Sequence, residues 1–109
     1  MGALAVGDVV LIAFPYSDLT QRKVRPGLVV ALAERSEAIV CQITSRPYSS
    51  RKAIQLDERD FSEGSLERVS FARVDKLFTA SPVLIYRRLG ALEPVIVASV
   101  RLAVADLFT

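Results

Sequence analysis

Apolar residues along the chain gather in short runs, and the runs predict the elements. Residues 7–14 (GDVVLIAF) are β-branched and apolar and end at Pro15, which predicts a mostly buried strand. Residues 28–33 form a second such run, opened by Arg25-Pro26-Gly27. Proline has no N–H, so Pro26 belongs at a strand's first residue or on a sheet edge. Residues 38–44 (AIVCQIT) predict a third strand, closed by Ser45-Arg46-Pro47. Residues 54–56 are a short alternating segment, and residues 70–79 (SFARVDKLFT) alternate imperfectly but read as a longer strand. Residues 84–89 (LIYRRL) are short and ambiguous, with Gly90 as their end. The polar stretches between them predict a loop at 15–23 (PYSDLTQRK), a charged turn at 34–37, an acidic turn at 57–64 and a turn at Ser81-Pro82.

The last segment, 94–108, carries two signals. Its Val and Ile content favours a strand. Its length exceeds most strands, Pro94 suits a first helical position, and Val97, Val100, Val104 and Leu107 fall on one helical stripe that omits Arg101 and Asp106. A terminal helix is therefore predicted, with Glu93 as an N-cap weaker than Ser or Asp. Strands separated by turns, without intervening helices, predict one domain over 1–109. It is mostly β, a small antiparallel barrel or curled sheet with the helix over one face or opening.

Composition narrows the chemistry. The 109 residues suffice for one domain, and 51% hydrophobic against 24% charged residues excludes a disordered tail. The absence of histidine removes serine–histidine and cysteine–histidine catalysis, histidine metal sites and a two-histidine ribonuclease mechanism. The single cysteine, Cys41, removes intrachain disulfides and cysteine zinc clusters, reads as core packing, and suits a reducing compartment, so a cytoplasmic location is expected. No apolar run approaches the ~20 residues of a membrane span. No basic residue precedes the apolar start, which Asp8 interrupts, so no secretory leader is expected. The five glycines form no phosphate-cradling loop, and no carboxylate pair has metal or glycosidase spacing. No cofactor or metal is expected.

Charge is uneven. Residues 1–52 hold seven Lys/Arg against four Asp/Glu, whereas residues 53–109 hold seven against eight. The excess sits in two clusters, Arg22-Lys23-Arg25 and Arg46-Arg51-Lys52, which mark either a phosphate-bearing partner or two solvated loops. Three features carry candidate chemistry. Arg25 stands at the start of the second strand with a planar five-donor fork that matches a phosphate, or else anchors the loop by a salt bridge. Thr44-Ser45-Arg46 brings two hydroxyls and a guanidinium to a strand end, as a phosphate site or as ordinary turn chemistry. Arg73 and Asp75, two apart on a strand, share a face and either pair with each other or serve a site.

The segments GDVVLIAFPYSDL, KVRPGLVV, QITSR and RVDKLFT, in this order, with Gly90-Ala91-Leu92-Glu93-Pro94 before a terminal helix, resemble the MazF/PemK family of toxin endoribonucleases. The likeness spans nearly the whole chain. It implies a small SH3-like β-barrel with helices, a homodimer, metal-independent cleavage of single-stranded RNA at short motifs, and a cognate antitoxin protein as partner. By matching position it assigns catalysis to Arg25 and Thr44, and in the manner of some members to Arg73 and Asp75. A histidine of the first loop in some members is missing here. With neither histidine nor metal, attack by the RNA 2′-OH on the adjacent phosphate is the accessible route, giving 2′,3′-cyclic phosphate and 5′-OH ends. Tyr16 is expected to stack on a base, with Asp18, Arg22, Lys23, Ser45 and Arg46 along the RNA. Two other readings stand beside this one: a toxin of the same fold that binds a protein such as DNA gyrase without cutting, and a small β-barrel module that binds RNA or protein.

Overall fold

The computed structural model describes residues 3–15, 22–46 and 51–109. Seven strands and one helix follow in order: β1 (Asp8–Pro15), β2 (Arg22–Leu32), β3 (Ala38–Thr44), β4 (Ile54–Leu56), β5 (Phe61–Gly64), β6 (Ser70–Ala80), β7 (Ile85–Leu92) and α1 (Pro94–Asp106). They form one antiparallel sheet in the order β4-β6-β3-β2-β1-β7-β5, curled into a half-barrel, with α1 against β6 and β2. This is the mostly-β architecture with a terminal helix that the sequence predicts.

The central strands are apolar almost throughout because both of their faces are covered. Val9, Leu28, Cys41, Ile43, Ala72 and Val74 build one cluster, which α1 closes with Val97 and Val100. Val10, Ile12, Phe14, Val29, Val40 and Ile85 build the other, into which Phe78 sets its ring edge-on to Phe14 at a centroid separation of 4.7 Å. Successive residues of β1 thus feed different clusters, as the twofold repeat of a strand requires. On α1 the predicted stripe faces inward: Val97 and Val100 are buried, Val104 and Leu107 are partly so, and Arg101 and Asp106 are exposed. Glu93 is the N-cap residue, but its side chain makes no capping hydrogen bond.

Three elements depart from the sequence reading. β2 begins at Arg22, inside the stretch read as a loop, because residues 22–26 pair with β1 in the register Ile12↔Arg25 and Leu11↔Pro26. Residues 57–64, read as a turn, hold a short 3-10 helix, Glu58–Asp60, and then the edge strand β5. β7 runs through Gly90 to Leu92 instead of ending there. The last two share a cause, since Gly64 and Gly90 stand opposite each other and let β5 approach β7 closely. A Cβ on Gly90 would lie 2.3 Å from the Glu63 carbonyl oxygen.

The same corner is tied by charge. Arg88 Nε donates to Asp8 Oδ1 at 3.0 Å, and the Asp8 Oδ2 atom accepts the Ala5 N–H at 2.9 Å. The Arg88 Nη2 group also donates to Glu63, so one guanidinium links β1, β7 and β5. Its bonds to Glu63 and Asp8 hold it protonated beyond the ordinary arginine range.

Candidate functional site

Pro26 decides where the sheet opens. β2 pairs with β1 on one side through Pro26 and beyond, but its ladder with β3 stops at Gly27↔Gln42. Proline has no N–H with which to extend it. Beyond that point β2 and β3 carry Arg25 and Thr44, and continuing the register sets these two residues opposite each other on one side of the sheet. Both line a groove of about 630 Å³. Its apolar lining is Leu11, Pro26, Ile43, Leu66 and Leu89, and its polar lining includes Ser45, Arg46, Glu67, Arg68, Ser70 and Arg87. Among the described residues four arginines line it with one carboxylate, a balance that favours anions.

Local bonding leaves hydrogen-bonding capacity on both residues. Arg25 is half-buried, and its Nη1 donates to the Val24 carbonyl at 3.0 Å, leaving the rest of its fork available. Thr44 Oγ1 accepts the Arg46 N–H at 3.2 Å. That bond uses a lone pair of the hydroxyl, fixes the turn after β3, and leaves the O–H to donate to an incoming oxygen.

The other predicted residues divide. Ser45 and Arg46 line the groove with Thr44. Lys23 is exposed on β2 and is outside the groove lining. Arg22 pairs with Pro15 through the backbone. Tyr16 and Asp18 lie outside the described residues.

Arg73 and Asp75 are likewise outside the groove lining. Arg73 stands opposite Gln42, whereas Leu77 stands opposite Cys41, so residues 74–76 bulge out of the ladder and break strict alternation. Val74 is fully buried, Asp75 is exposed, and no ion pair joins Asp75 to Arg73 among the described residues. The Arg73 Nε and Gln42 Oε1 atoms are buried without hydrogen-bond partners among the described residues. Both members of the pair act on Cys41 instead. Burial first, and then Asp75, push its thiol up to about 12, against the opposing pull of Arg73. The Cys41 Sγ donates to the Arg73 carbonyl at 3.0 Å and stays neutral, as a core thiol should.

Sequence reasoning missed Glu67, Arg68 and Arg87. Arg87 and Arg88 are adjacent, so on a strand they point to opposite faces; Arg88 goes to Asp8 while Arg87 lines the groove. That split was readable only once residues 84–89 were known to be a strand. Glu67 and Arg68 arrive on the connection from β5 to β6, where no periodicity marks them. Among the described residues no three His, Cys, Asp or Glu side chains gather as a metal site would require, and no helix is long and apolar enough to cross a membrane.

Comparisons with known proteins place the fold. No curated protein matches the sequence. Among solved structures, a mycobacterial endoribonuclease in complex with its cognate antitoxin superposes with a TM-score of 0.72 at 16% identity, over 99% of this chain and 95% of that one. The Mycobacterium tuberculosis toxin MazF-mt6 superposes with a TM-score of 0.71 at 18% identity, over 93% and 95% of the two chains. A further mycobacterial endoribonuclease gives 0.73 at 15% identity, over 99% and 93%. These likenesses establish a shared fold. The family model for the PemK-like, MazF-like toxin of type II toxin-antitoxin systems matches residues 5–108, and the chain belongs to that family.

Proposed function

We propose that this toxin is an endoribonuclease that cuts single-stranded RNA without a metal, by attack of the 2′-OH on the adjacent phosphate. The observation that carries the reading is the meeting of Arg25 and Thr44 in one arginine-lined groove. In the proposed step the O2′–P bond forms as the P–O5′ bond breaks. Solvent water takes the 2′-OH proton and returns one to the departing 5′ oxygen, leaving a 2′,3′-cyclic phosphate and a 5′-OH. Arg25 stabilises the charge that builds on the phosphorane oxygens. Thr44 donates its hydroxyl hydrogen to a non-bridging oxygen, and Arg46, Arg68 and Arg87 hold flanking phosphates. Arg73 and Asp75 stand outside the groove, and the reading gives them no chemical step.

The partners follow the same reading. The superposed endoribonuclease bound to its antitoxin supports a cognate antitoxin for this chain. Val83, Val95, Leu102 and Phe108 are large apolar side chains left at least 65% exposed, which supports a homodimer or antitoxin surface. The buried, neutral Cys41 suits the cytoplasm. The test is incubation with a long unstructured RNA and mapping of the new ends. Discrete cuts whose 5′ ends accept phosphate from a kinase directly are expected. Intact RNA, or 5′-phosphate ends, would refute the mechanism.

A further inference from the structure

Glu67 is out of place in a phosphate groove. Among the described residues it is the one carboxylate lining the groove, it is exposed, and it has no hydrogen-bond or ion-pair partner. A fixed negative charge beside Arg68 and Arg87 weakens the hold on any phosphate placed there. It is, however, a strong acceptor for base-edge N–H groups. A second hollow of about 820 Å³ adjoins the groove and shares Leu66, Glu67 and Arg68 with it. Its remaining lining is Asp57, Glu58, Arg59 and Val69, so the charge balance reverses to three carboxylates against two guanidiniums.

This polarity orients a nucleotide. The backbone is drawn to the arginine side and repelled from the acidic side, while the base edge is drawn the other way. Leu66, half-buried on the rim between the two hollows, offers an apolar surface to the base plane. We propose that Glu67 is a specificity-determining residue that reads one guanine beside the phosphate held at Arg25 and Thr44. Guanine is the base whose Watson–Crick edge presents two adjacent donors, N1–H and the N2 amino group, to the two oxygens of one carboxylate. Uracil and adenine present one donor there, and cytosine presents a single amino group beside an acceptor that the carboxylate repels.

The inference rests on the nucleic-acid reading of the groove and is tested apart from cleavage. Single-stranded 2′-deoxy oligomers, which lack the nucleophile, are bound to wild type and to Glu67→Gln, with guanine replaced by inosine one position at a time. Inosine lacks only the N2 amino group. At one position the exchange weakens binding to wild type about tenfold and leaves Glu67→Gln nearly indifferent. The proposal is overturned if no position distinguishes guanine from inosine in wild type, or if the difference survives in Glu67→Gln. The all-ribose parent strand, run in parallel, tests the chemistry separately. Guanine-dependent binding without cutting would refute the nuclease reading and uphold this one.

Discussion

Replacing Gly90 by alanine tests how β5 is held and, through it, how the groove is walled. The added Cβ would meet the Glu63 carbonyl oxygen at 2.3 Å and the Gly64 Cα at 3.1 Å, both backbone atoms that no rotamer change can move away. Reaching an ordinary contact of 3.4 Å requires β5 to retreat from β7 by about 1 Å. Overpacking of this kind costs roughly 1–3 kcal/mol. A 1 Å retreat also loosens the ladder bonds of a strand only four residues long, at about 1 kcal/mol for each bond lost. Together these give a destabilisation of about 2–4 kcal/mol, or a fall in Tm of roughly 10–20 °C for a domain of this size. Thermal unfolding followed by circular dichroism reads it. The residues after Gly64 lead directly into Leu66, Glu67 and Arg68, so oligonucleotide affinity should fall as well. A Tm within about 2 °C of wild type would show that the Gly64–Gly90 approach does not set the strand spacing.

Two further outcomes follow. The folded state keeps the Cys41 proton up to about 12, whereas the unfolded chain releases it near the ordinary value of 9.0. The thiol's contribution to stability is therefore complete below the unfolded value and is lost as pH rises toward the folded one. Iodoacetamide at neutral pH should leave the native protein unmodified and label it fully in denaturant, and rapid labelling of native protein would contradict the burial. Cleavage should also proceed at the same rate in millimolar EDTA, and loss of activity on chelation would demand a metal in the chemistry.

What the sequence made legible was whatever a single strand or helix decides for itself. The apolar run of β1, the run of β3 and the stripe Val97, Val100, Val104 and Leu107 each state an element without reference to neighbours, and each stands as read. What it hid was decided between elements. Phe61–Gly64 has no apolar alternation, and only the facing glycine on β7 makes it a strand. Gly90 reads as a stop along the chain and is a contact point across it. Pro26 was expected at a strand's first residue or on an edge. It lies inside β2, which is central, because the ladder to β3 has already ended beside it. Arg25 and Thr44 were legible because each ends or opens a recognisable run. Glu67, Arg68 and Arg87 reach the groove only through the return of β5 and β7 around the half-barrel. Arg73 and Asp75 flank the buried Val74 where a three-residue bulge leaves the ladder to β3, and both stand outside the groove lining that holds Arg25.

The central claim is that Arg25 and Thr44 act together on one phosphodiester, and cleavage kinetics of their alanine variants test it most directly. Neither residue belongs to the two buried clusters, so both variants should unfold at the wild-type temperature. On a single-stranded oligoribonucleotide under single-turnover conditions, Arg25→Ala and Thr44→Ala should each cut about 10²–10³ times more slowly than wild type, equivalent to about 3–4 kcal/mol of lost transition-state stabilisation. Wild-type rates in both folded variants would place the chemistry elsewhere on the molecule.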